Sequence, residues 1–495
     1  MIRSRSTRWG IVVSVVGLAL ATILVVKSES ARGGAVRAEC SGSPKDNGDP
    51  RAASGSRVTN PQVRVWSRTI TLRMAECGAS ASIESGRPGD SVWIDRGADG
   101  SGVRDGSLGV ATVSDTAQRT PFYRYAGAKL RACGKAGDRP EVRCTRWTAP
   151  GDPPPDRRQR ALERLLDTYD HDTGLWEHDV ATWQSANALT GVIDYMRQTG
   201  DRQYLTYVDE TYRHGEVARL GLPKRTGYND DELWWALAWI DAYGLTFEPR
   251  YLAAARAIVD GLGDQRAPFC DGGLAWAREG KDRFQVNAIT NALYMTATAA
   301  LSTWVDGADR AAYLARAQGT WVWFTERAGR ALLDRSGLVN DHMDKYGDTC
   351  VLVDENMRWT YGQGAMIRGL VALHRATGAG ELLTSAEAIA AAATRDGSPF
   401  IRDGILYEYA PAEKCPGPQC GDADTFKGVF VRYYRELVAT RGARFTDEFL
   451  IRQANSLTGK ADEYGFRWQG PLRADDQPDF ATQAAALDAL NAGQP

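Results

Sequence analysis

Histidine is scarce in this sequence: there are five among 495 residues, and they show no metal-ligand spacing. The eight cysteines include no C-x-x-C pair. No motif therefore indicates a metal site, and we expect no metal or other cofactor. Neither sign of charge dominates, since the net charge is only −2. The sequence therefore gives no reason to expect nucleic acid as a partner.

The amino terminus has the form of an export signal. Arginines precede an apolar run at residues 10–26, which is near the short limit for a membrane span. Val36 and Ala38 suit a signal-peptidase site but lie some way beyond that run. Residues 1–38 are therefore a signal peptide or an uncleaved membrane anchor. Either one predicts a chain that is secreted or tethered on the outer face of the cytoplasmic membrane.

The even number of cysteines favours disulfides in an oxidising compartment. The connectivity does not follow from the sequence. Three pairings are plausible, the first as a hairpin closure and the last as a loop staple: Cys133–Cys144, Cys270–Cys350 and Cys415–Cys420.

Composition divides the exported part of the chain. Residues 39–60 predict a flexible linker, and alternating apolar and polar residues over 61–148 predict a small β domain. This domain either binds carbohydrate or is a disulfide-stapled module with no ligand. In the first case the candidate platforms are Trp66, Trp93 and Tyr123. A proline-rich linker follows at 149–155.

Residues 156–495 carry alanine-rich amphipathic stretches without convincing strand patterns. About eleven or twelve helices are expected, which fits helical hairpins arranged as a closed α/α toroid. A solenoid of helical repeats would also fit, but no repeat of fixed period supports it. The predicted fold class is therefore an all-α catalytic domain preceded by a small all-β domain.

The most suggestive segment is Gly227–Trp239, where Asp230 and Asp231 begin a predicted helix. The segment has a purely structural interpretation. Asn229 is a good N-cap, and acids in the first turn complement the helix dipole. On that interpretation the acids only start a helix.

Three features favour a catalytic pair instead. The acids precede three tryptophans, more indole than one helical face needs for packing, and they follow a glycine-bearing loop. Glycoside hydrolysis also needs two carboxyls, roughly 5–5.5 Å apart in a retaining enzyme and roughly 6.5–9.5 Å apart in an inverting one. Neighbours at a loop-to-helix junction can reach such distances. The charge of one carboxylate would raise the pKa of the other, which yields a nucleophile and an acid.

Several further motifs occur in a characteristic order: Tyr169 with Thr173–Trp176, Trp183 with Ala186–Leu189, Tyr228–Trp235, Cys270–Leu274 leading into Asn287–Asn291, Thr360–Gly364 and Phe426–Phe430. From about Ala161 to Ala492 the chain resembles the glycoside hydrolases of family 76, the endo-α-1,6-mannanases. Tyr228–Trp235 matches the family's catalytic Asp-Asp segment, its most specific signature. The order and spacing of the whole set carry the resemblance.

The resemblance implies a six-hairpin α/α toroid and a retaining double displacement, with Asp230 as nucleophile and Asp231 as general acid/base. That division of roles rests on the resemblance alone. The expected substrate-binding residues are Trp176, Trp183, Asn187, Asn229, Trp235, Trp276, Asn287, Tyr361 and Gln363. Two other interpretations stay open: the amides of Asn287 and Gln363 satisfy buried loop backbone, and some of the tryptophans belong to the core.

The sequence departs from the family at two positions near the expected cleft. Gly362 stands where relatives usually have asparagine, and Ala275 where they often have a second indole. Both changes remove potential substrate contacts, so a linkage other than α-1,6 is open. The predicted function is an endo-acting α-mannanase whose partner is mannan polysaccharide or mannose oligosaccharides. The alternatives are a cell-wall transglycosylase on the same scaffold and a non-catalytic mannan-binding protein.

Overall fold

The structure is a computed structural model that describes residues 46–49, 60–75, 77–97, 103–137, 139, 141–152, 155–176, 183–214, 227–262, 265–408, 421–442, 447–470 and 478–494. The predicted signal or anchor at 1–38, most of the 39–60 linker and the Cys415–Cys420 pair lie outside these residues. Within the described ranges, no helix has both the length and the apolar character needed to span a membrane.

The amino-terminal part of the described chain is built from antiparallel strands: β1 (Gln62–Val65), β2 (Arg68–Met74), β3 (Gly78–Glu84), β4 (Ser91–Gly97), β5 (Val103–Thr112), β6 (Gln118–Arg119), β7 (Tyr123–Arg124), β8 (Lys129–Lys135) and β9 (Val142–Cys144). One sheet has the order β1-β2-β3-β6, with β7 also paired to β3, and the other has the order β5-β4-β8-β9. We call these strands the β module.

The two sheets of the β module share one apolar core. Alternate residues of the strands, such as Ile70, Leu72 and Ile94, are buried in it, as the period-two pattern predicted. Cys133 and Cys144 are opposite each other on β8 and β9 and form the predicted hairpin disulfide. The candidate carbohydrate platforms do not form one exposed aromatic surface, because Tyr123 is buried and Trp66 packs against His171 and Arg139.

Twelve α-helices follow among the described residues: α1 (Arg157–Leu166), α2 (Trp183–Thr199), α3 (Leu205–His214), α4 (Asn229–Thr246), α5 (Pro249–Gly261), α6 (Ala288–Ser302), α7 (Gly307–Glu326), α8 (Thr360–Thr377), α9 (Gly380–Thr394), α10 (Ala423–Arg441), α11 (Glu448–Ser456) and α12 (Phe480–Ala492). The mostly helical fold expected beyond residue 156 is therefore observed.

Short strands also occur in the loops between these helices, which the sequence analysis did not predict: β10 (Arg266–Ala267), β11 (Gly273–Leu274), β12 (Gln285–Asn287), β13 (His342–Tyr346), β14 (Thr349–Leu352), β15 (Ile401–Arg402) and β16 (Ile405–Leu406). Strands of two to five residues are too short to show a convincing alternation. A disulfide between Cys270 and Cys350 links two of these loops, so the second plausible pairing is also present.

The even-numbered helices contact one another in a cycle, because each packs against the next and α12 packs against α2. Each odd-numbered helix packs against an even-numbered neighbour. Burial follows this division. Every residue of α6 except Ala300 is buried, whereas α7 buries only a stripe that includes Tyr313, Trp323 and Phe324. A helix that is buried all round belongs to the interior, and one with a single buried stripe faces solvent.

The inner, even-numbered helices run in the same direction. At one end the first turns of α2, α8 and α10 meet, where Phe426 packs against Trp183 and stacks on Tyr361. The carboxyl-terminal parts of all six inner helices line one cavity. The loops that precede the inner helices therefore lie together at the end where these helices begin, and most of the predicted site residues lie in these loops or in the first turns that follow them.

A glycine sets how closely α10 and α12 approach. A Cβ atom at Gly428 would lie 2.5 Å from the Cα of Ala485. We expect Gly428→Ala to lower the free energy of unfolding by about 1–3 kcal/mol, because overpacking a dense core forces the backbone to shift. Urea unfolding followed by tryptophan fluorescence measures this loss. Gly362→Ala is the matched control and should not destabilise, since an added Cβ there meets no atom within 4 Å. Equal losses in both variants would contradict the explanation.

The β module packs on α3 and on the loop before α2. Arg143 of β9 forms a bidentate ion pair with Glu210 of α3, and the two side chains are only 2% and 5% exposed. The Arg143 guanidinium also lies 4.5 Å from the centre of the Tyr207 ring. His171, which is buried in the loop, places its Nδ1 3.1 Å from Glu210. This interface is a charged cluster excluded from water rather than a loose linkage.

Candidate active site

The predicted Asp-Asp segment does begin a helix, but Asn229 is not its N-cap residue. Helix α4 begins at Asn229, and Tyr228 occupies the N-cap position without a side-chain cap. The prediction that Asn229 is the N-cap is therefore wrong. Its amide instead donates to the Ala275 carbonyl at 2.8 Å, and its backbone N–H donates to the Trp276 carbonyl. Asn229 attaches the start of α4 to a loop 46 residues further along the chain.

Asp230 and Asp231 lie in the first turn of α4 and are both buried. The Trp276 indole N–H donates to Asp230 Oδ2 at 3.1 Å, and the Asp231 backbone N–H donates to Asp230 Oδ1 at 3.2 Å. Both Asp230 oxygens thus accept hydrogen bonds at a helix amino terminus, where negative charge is stabilised. These contacts favour Asp230 as the ionised member of the pair.

Burial, in contrast, favours the neutral form of the Asp230 carboxyl. It raises the pKa of Asp230 to about 7, and the negative charge of Asp422 adds to the rise, while the N–H donors oppose it. Two neighbouring buried carboxyls do not both ionise readily. A pair that shares one proton is the arrangement that a nucleophile and an adjacent acid require.

A third buried acid, Glu232, follows the pair in the first turn of the same helix. Glu232 Oε2 accepts a hydrogen bond from Arg278 at 2.7 Å, and burial raises the pKa of Glu232 to about 7 against the lowering effect of Arg278. The Arg278 backbone N–H also donates to the Gly227 carbonyl. Together with the contacts of Asn229, this ties residues 275–278 to the start of α4 and fixes the Trp276 indole over Asp230.

Aromatic rings and a further carboxylate, that of Asp422, complete the surroundings of the pair. Trp183 stacks on Trp234 and donates from its indole N–H to Asp422 at 3.3 Å. Tyr361 stacks on Phe426, and burial together with the charges of Asp341, Asp230 and Asp422 raises its pKa. These groups therefore face a shared space at the amino-terminal ends of α2, α4, α8 and α10.

Several predicted substrate-binding residues lie elsewhere. Trp176 donates to the Leu165 carbonyl, and Trp235 stacks on Trp239; both indoles are buried in the core. Asn187 is buried and bonds Arg432. We do not retain these residues as sugar contacts, because packing and internal hydrogen bonds explain them.

The two amides follow the structural interpretation that the sequence left open. Asn287 caps α6 by accepting from the Thr290 N–H, and Gln363 bonds both the N–H and the C=O of Val339. Asn229 is likewise fully buried. Trp183, Trp276 and Tyr361 remain beside the carboxylates.

Three residues that the sequence analysis did not single out belong to this environment: Arg278, Asp341 and Asp422. Asp422 is the N-cap residue of α10, so an acid at the beginning of a helix was the one usable signal. Among the described residues, one cluster has enough possible ligands to hold a metal ion, namely Asp95 with Cys133 and Cys144. Its two cysteines form the β-module disulfide, so they offer no thiolate.

Comparison with known proteins assigns this site to a family. The sequence model described as "Glycosyl hydrolase family 76" matches residues 156–494. The chain belongs to glycosyl hydrolase family 76. The resemblance drawn from the motifs is therefore confirmed, and with it the enzyme class, a glycoside hydrolase. The β module lies before the matched family 76 region.

Two curated fungal proteins are similar to this family 76 chain, and both are called mannan endo-1,6-alpha-mannosidase DCW1. The Saccharomyces cerevisiae protein is 26% identical over 289 residues, which are 54% of this chain and 59% of the yeast protein. The Candida glabrata protein is 24% identical over 335 residues, 61% of this chain and 70% of that protein. The match therefore spans less than two thirds of the first relative.

Solved structures share the family 76 fold. The GH76A α-1,6-mannanase of Salegentibacter sp. HEL1_6 superposes with a TM-score of 0.58 at 23% identity, covering 68% of this chain and 98% of that chain. Dfg5 from Chaetomium thermophilum, solved in complex with glucosamine, superposes with a TM-score of 0.54 at 20% identity, covering 63% and 80%.

Proposed function

We propose that this family 76 protein is an exported, endo-acting α-mannanase that hydrolyses α-1,6-mannan with retention of configuration. The observation that carries the proposal is the buried pair Asp230 and Asp231 at the start of α4, with the Trp276 indole donating to Asp230. The cyclic contacts of the inner helices support a six-hairpin α/α toroid. We also keep the proposed boundaries: export segment 1–38, β domain 61–148, and hydrolase domain 156–495.

In the proposed reaction Asp230 attacks the anomeric carbon while Asp231 gives its proton to the departing glycosidic oxygen. The bond to the leaving sugar breaks as the Asp230 ester forms. Asp231, now ionised, then takes a proton from water, and the resulting attack on the same carbon releases Asp230. Two N–H donors on the Asp230 oxygens suit the nucleophile, which must be ionised before attack.

Relatives support the substrate. One solved form of the Salegentibacter α-1,6-mannanase is an inactive variant with two adjacent aspartates replaced by alanine, in complex with α-1,6-mannotetraose. The two fungal relatives are named for the same endo-1,6 cleavage. Two adjacent aspartates are a feature that this chain shares with the Salegentibacter protein.

Product analysis tests the proposal. The exported chain should cut linear α-1,6-mannan into short oligosaccharides, and branched mannan more slowly. Chromatography of the products with a reducing-end assay follows the reaction. No new reducing ends from any mannan would overturn the hydrolase assignment. Products longer than the substrate would instead identify a transglycosylase, which shares the covalent intermediate but excludes water from the second step.

Asp422 supplies a prediction about pH. Its negative charge contributes to the raised pKa of Asp230, so Asp422→Asn should lower the pKa of the carboxyl pair. We expect both limbs of the pH profile of kcat/KM to move to lower pH. Asp424→Asn, in the same turn, is the control and should leave the profile in place. A profile unchanged in Asp422→Asn, or moved to higher pH, would show that Asp422 does not act on the pair.

A further inference from the structure

The carboxyl-terminal parts of the inner helices surround a cavity of about 430 Å³, which we call the rear cavity. Its wall includes Asp194 of α2, Asp241 of α4, Arg368 of α8 and Asp488 of α12. The Asp-Asp pair lies at the start of α4, whereas the rear cavity lies beside its last turns. The two spaces are therefore at opposite ends of the inner helices. A volume of this size falls within the range of roughly 300–1,000 Å³ that is usual for ligand pockets.

The wall of the rear cavity is charged but nearly neutral in sum, with five arginines and four acidic residues among the described lining. The charges form a network: Arg368 bonds Asp241 at 2.8 Å and Glu436 at 3.1 Å, and Arg432 bonds Asp488 at 3.0 Å. Buried ion pairs stabilise a fold no better than apolar residues of similar size. Folding alone therefore does not explain so many charges around an open space.

Charge balance decides the class of ligand. An anion would face four carboxylates, and a cation would face five guanidinium groups. A neutral ligand rich in hydroxyls can instead donate to the carboxylates and accept from the arginines.

Aromatic rings stand beside the rear cavity. Trp304 lines it, and Tyr243 and Phe247 pack edge-on against Trp304. Trp304 is 38% exposed and Phe247 is 63% exposed. Phe247 also has a φ of 58°, a left-handed conformation that glycine adopts without penalty and phenylalanine does not. An exposed ring held at a conformational cost, as Phe247 is, marks a binding surface better than an isolated apolar residue does.

We propose that the rear cavity, with Trp304 and Phe247 at its edge, is a second and non-catalytic binding site for a mannose oligosaccharide. The aromatic faces would stack on the sugar ring while the charged wall bonds its hydroxyls. The choice of mannose rests on the proposed function, whereas the preference for a neutral saccharide rests on the cavity alone. A polymer held here would keep the enzyme on its substrate between cleavages.

Calorimetric titration with α-1,6-mannotetraose tests the second site in the full-length Asp230→Asn/Asp231→Asn protein, which should not consume the ligand. Adding Trp304→Ala or Phe247→Gly should remove one binding event or weaken it about tenfold. Phe247→Gly relieves the left-handed backbone, so its melting temperature should not fall and lost binding cannot be attributed to unfolding. Tyr346→Ala is the matched control, because that ring is 73% exposed on β13 and away from the rear cavity.

Binding that is identical with and without Trp304 and Phe247 would overturn the second site. Hydrolysis is measured separately, in the protein that retains Asp230 and Asp231. Intact hydrolysis with no Trp304-dependent binding rejects only the second site. Absent hydrolysis with Trp304-dependent binding rejects only the proposed catalytic function.

Discussion

Asp230→Asn should reduce kcat on α-1,6-mannan by about 10³-fold or more while the protein stays folded. The amide cannot form the glycosyl ester, yet it fits the same space and can still accept the hydrogen bond from Trp276. Asp231→Asn should cause a loss of similar size on the polymer, because a sugar leaving group needs a proton. Initial rates on purified variants, with circular dichroism spectra, measure both effects.

Azide separates the two roles. With an activated aryl mannoside, whose leaving group needs no proton, Asp231→Asn should still form the ester and release mannosyl azide of retained configuration. Asp230→Asn should give at most the inverted azide. Asp282→Asn is a nearby control, because Asp282 accepts a hydrogen bond from the Tyr228 hydroxyl and is not one of the paired carboxyls, and its rate should remain within a few-fold of normal. Normal turnover in either member of the pair would return that residue to the role of starting a helix.

Arg143→Ala should lower the free energy of unfolding by about 3–5 kcal/mol, because it leaves Glu210 buried without its partner. The ring of Tyr207 would lose its cation as well. Chemical denaturation followed by tryptophan fluorescence measures the loss. The helical domain itself should become less stable, since Glu210 belongs to α3 rather than to the β module.

The matched variants distinguish charge burial from simple loss of contact. Arg143→Met with Glu210→Gln removes both charges and keeps most of the volume, so much of the stability should return. Arg139→Ala removes an exposed arginine of the same module and should cost less than about 1 kcal/mol. An Arg143→Ala protein as stable as the native one would mean that the two parts of the chain are held together in another way.

The sequence was sufficient for features that depend on local order. The Asp-Asp segment starts a helix, and Cys133 closes a hairpin with a cysteine only eleven residues away. Propensity and periodicity act over one or two turns or across one hairpin, so a single sequence reveals them.

Contacts between distant residues could not be read in this way. Asn229 looked like an N-cap, but its amide is taken by the Ala275 carbonyl in a loop that only the fold brings near. Trp276 was predicted to stack on sugar, but the sequence did not reveal that its N–H donates to Asp230. Asn187 bonds Arg432 across 245 residues. Periodicity does not predict such pairs, because the partners meet only when the inner helices close their cycle.

The stereochemistry of the first product tests the central claim most directly. Proton NMR spectra recorded in the first minutes of α-1,6-mannotetraose hydrolysis show the anomer released before mutarotation mixes the two forms. A retaining reaction through an Asp230 ester predicts that the new reducing end appears first as the α-anomer. Initial release of the β-anomer, or no cleavage of the tetrasaccharide, would contradict the account.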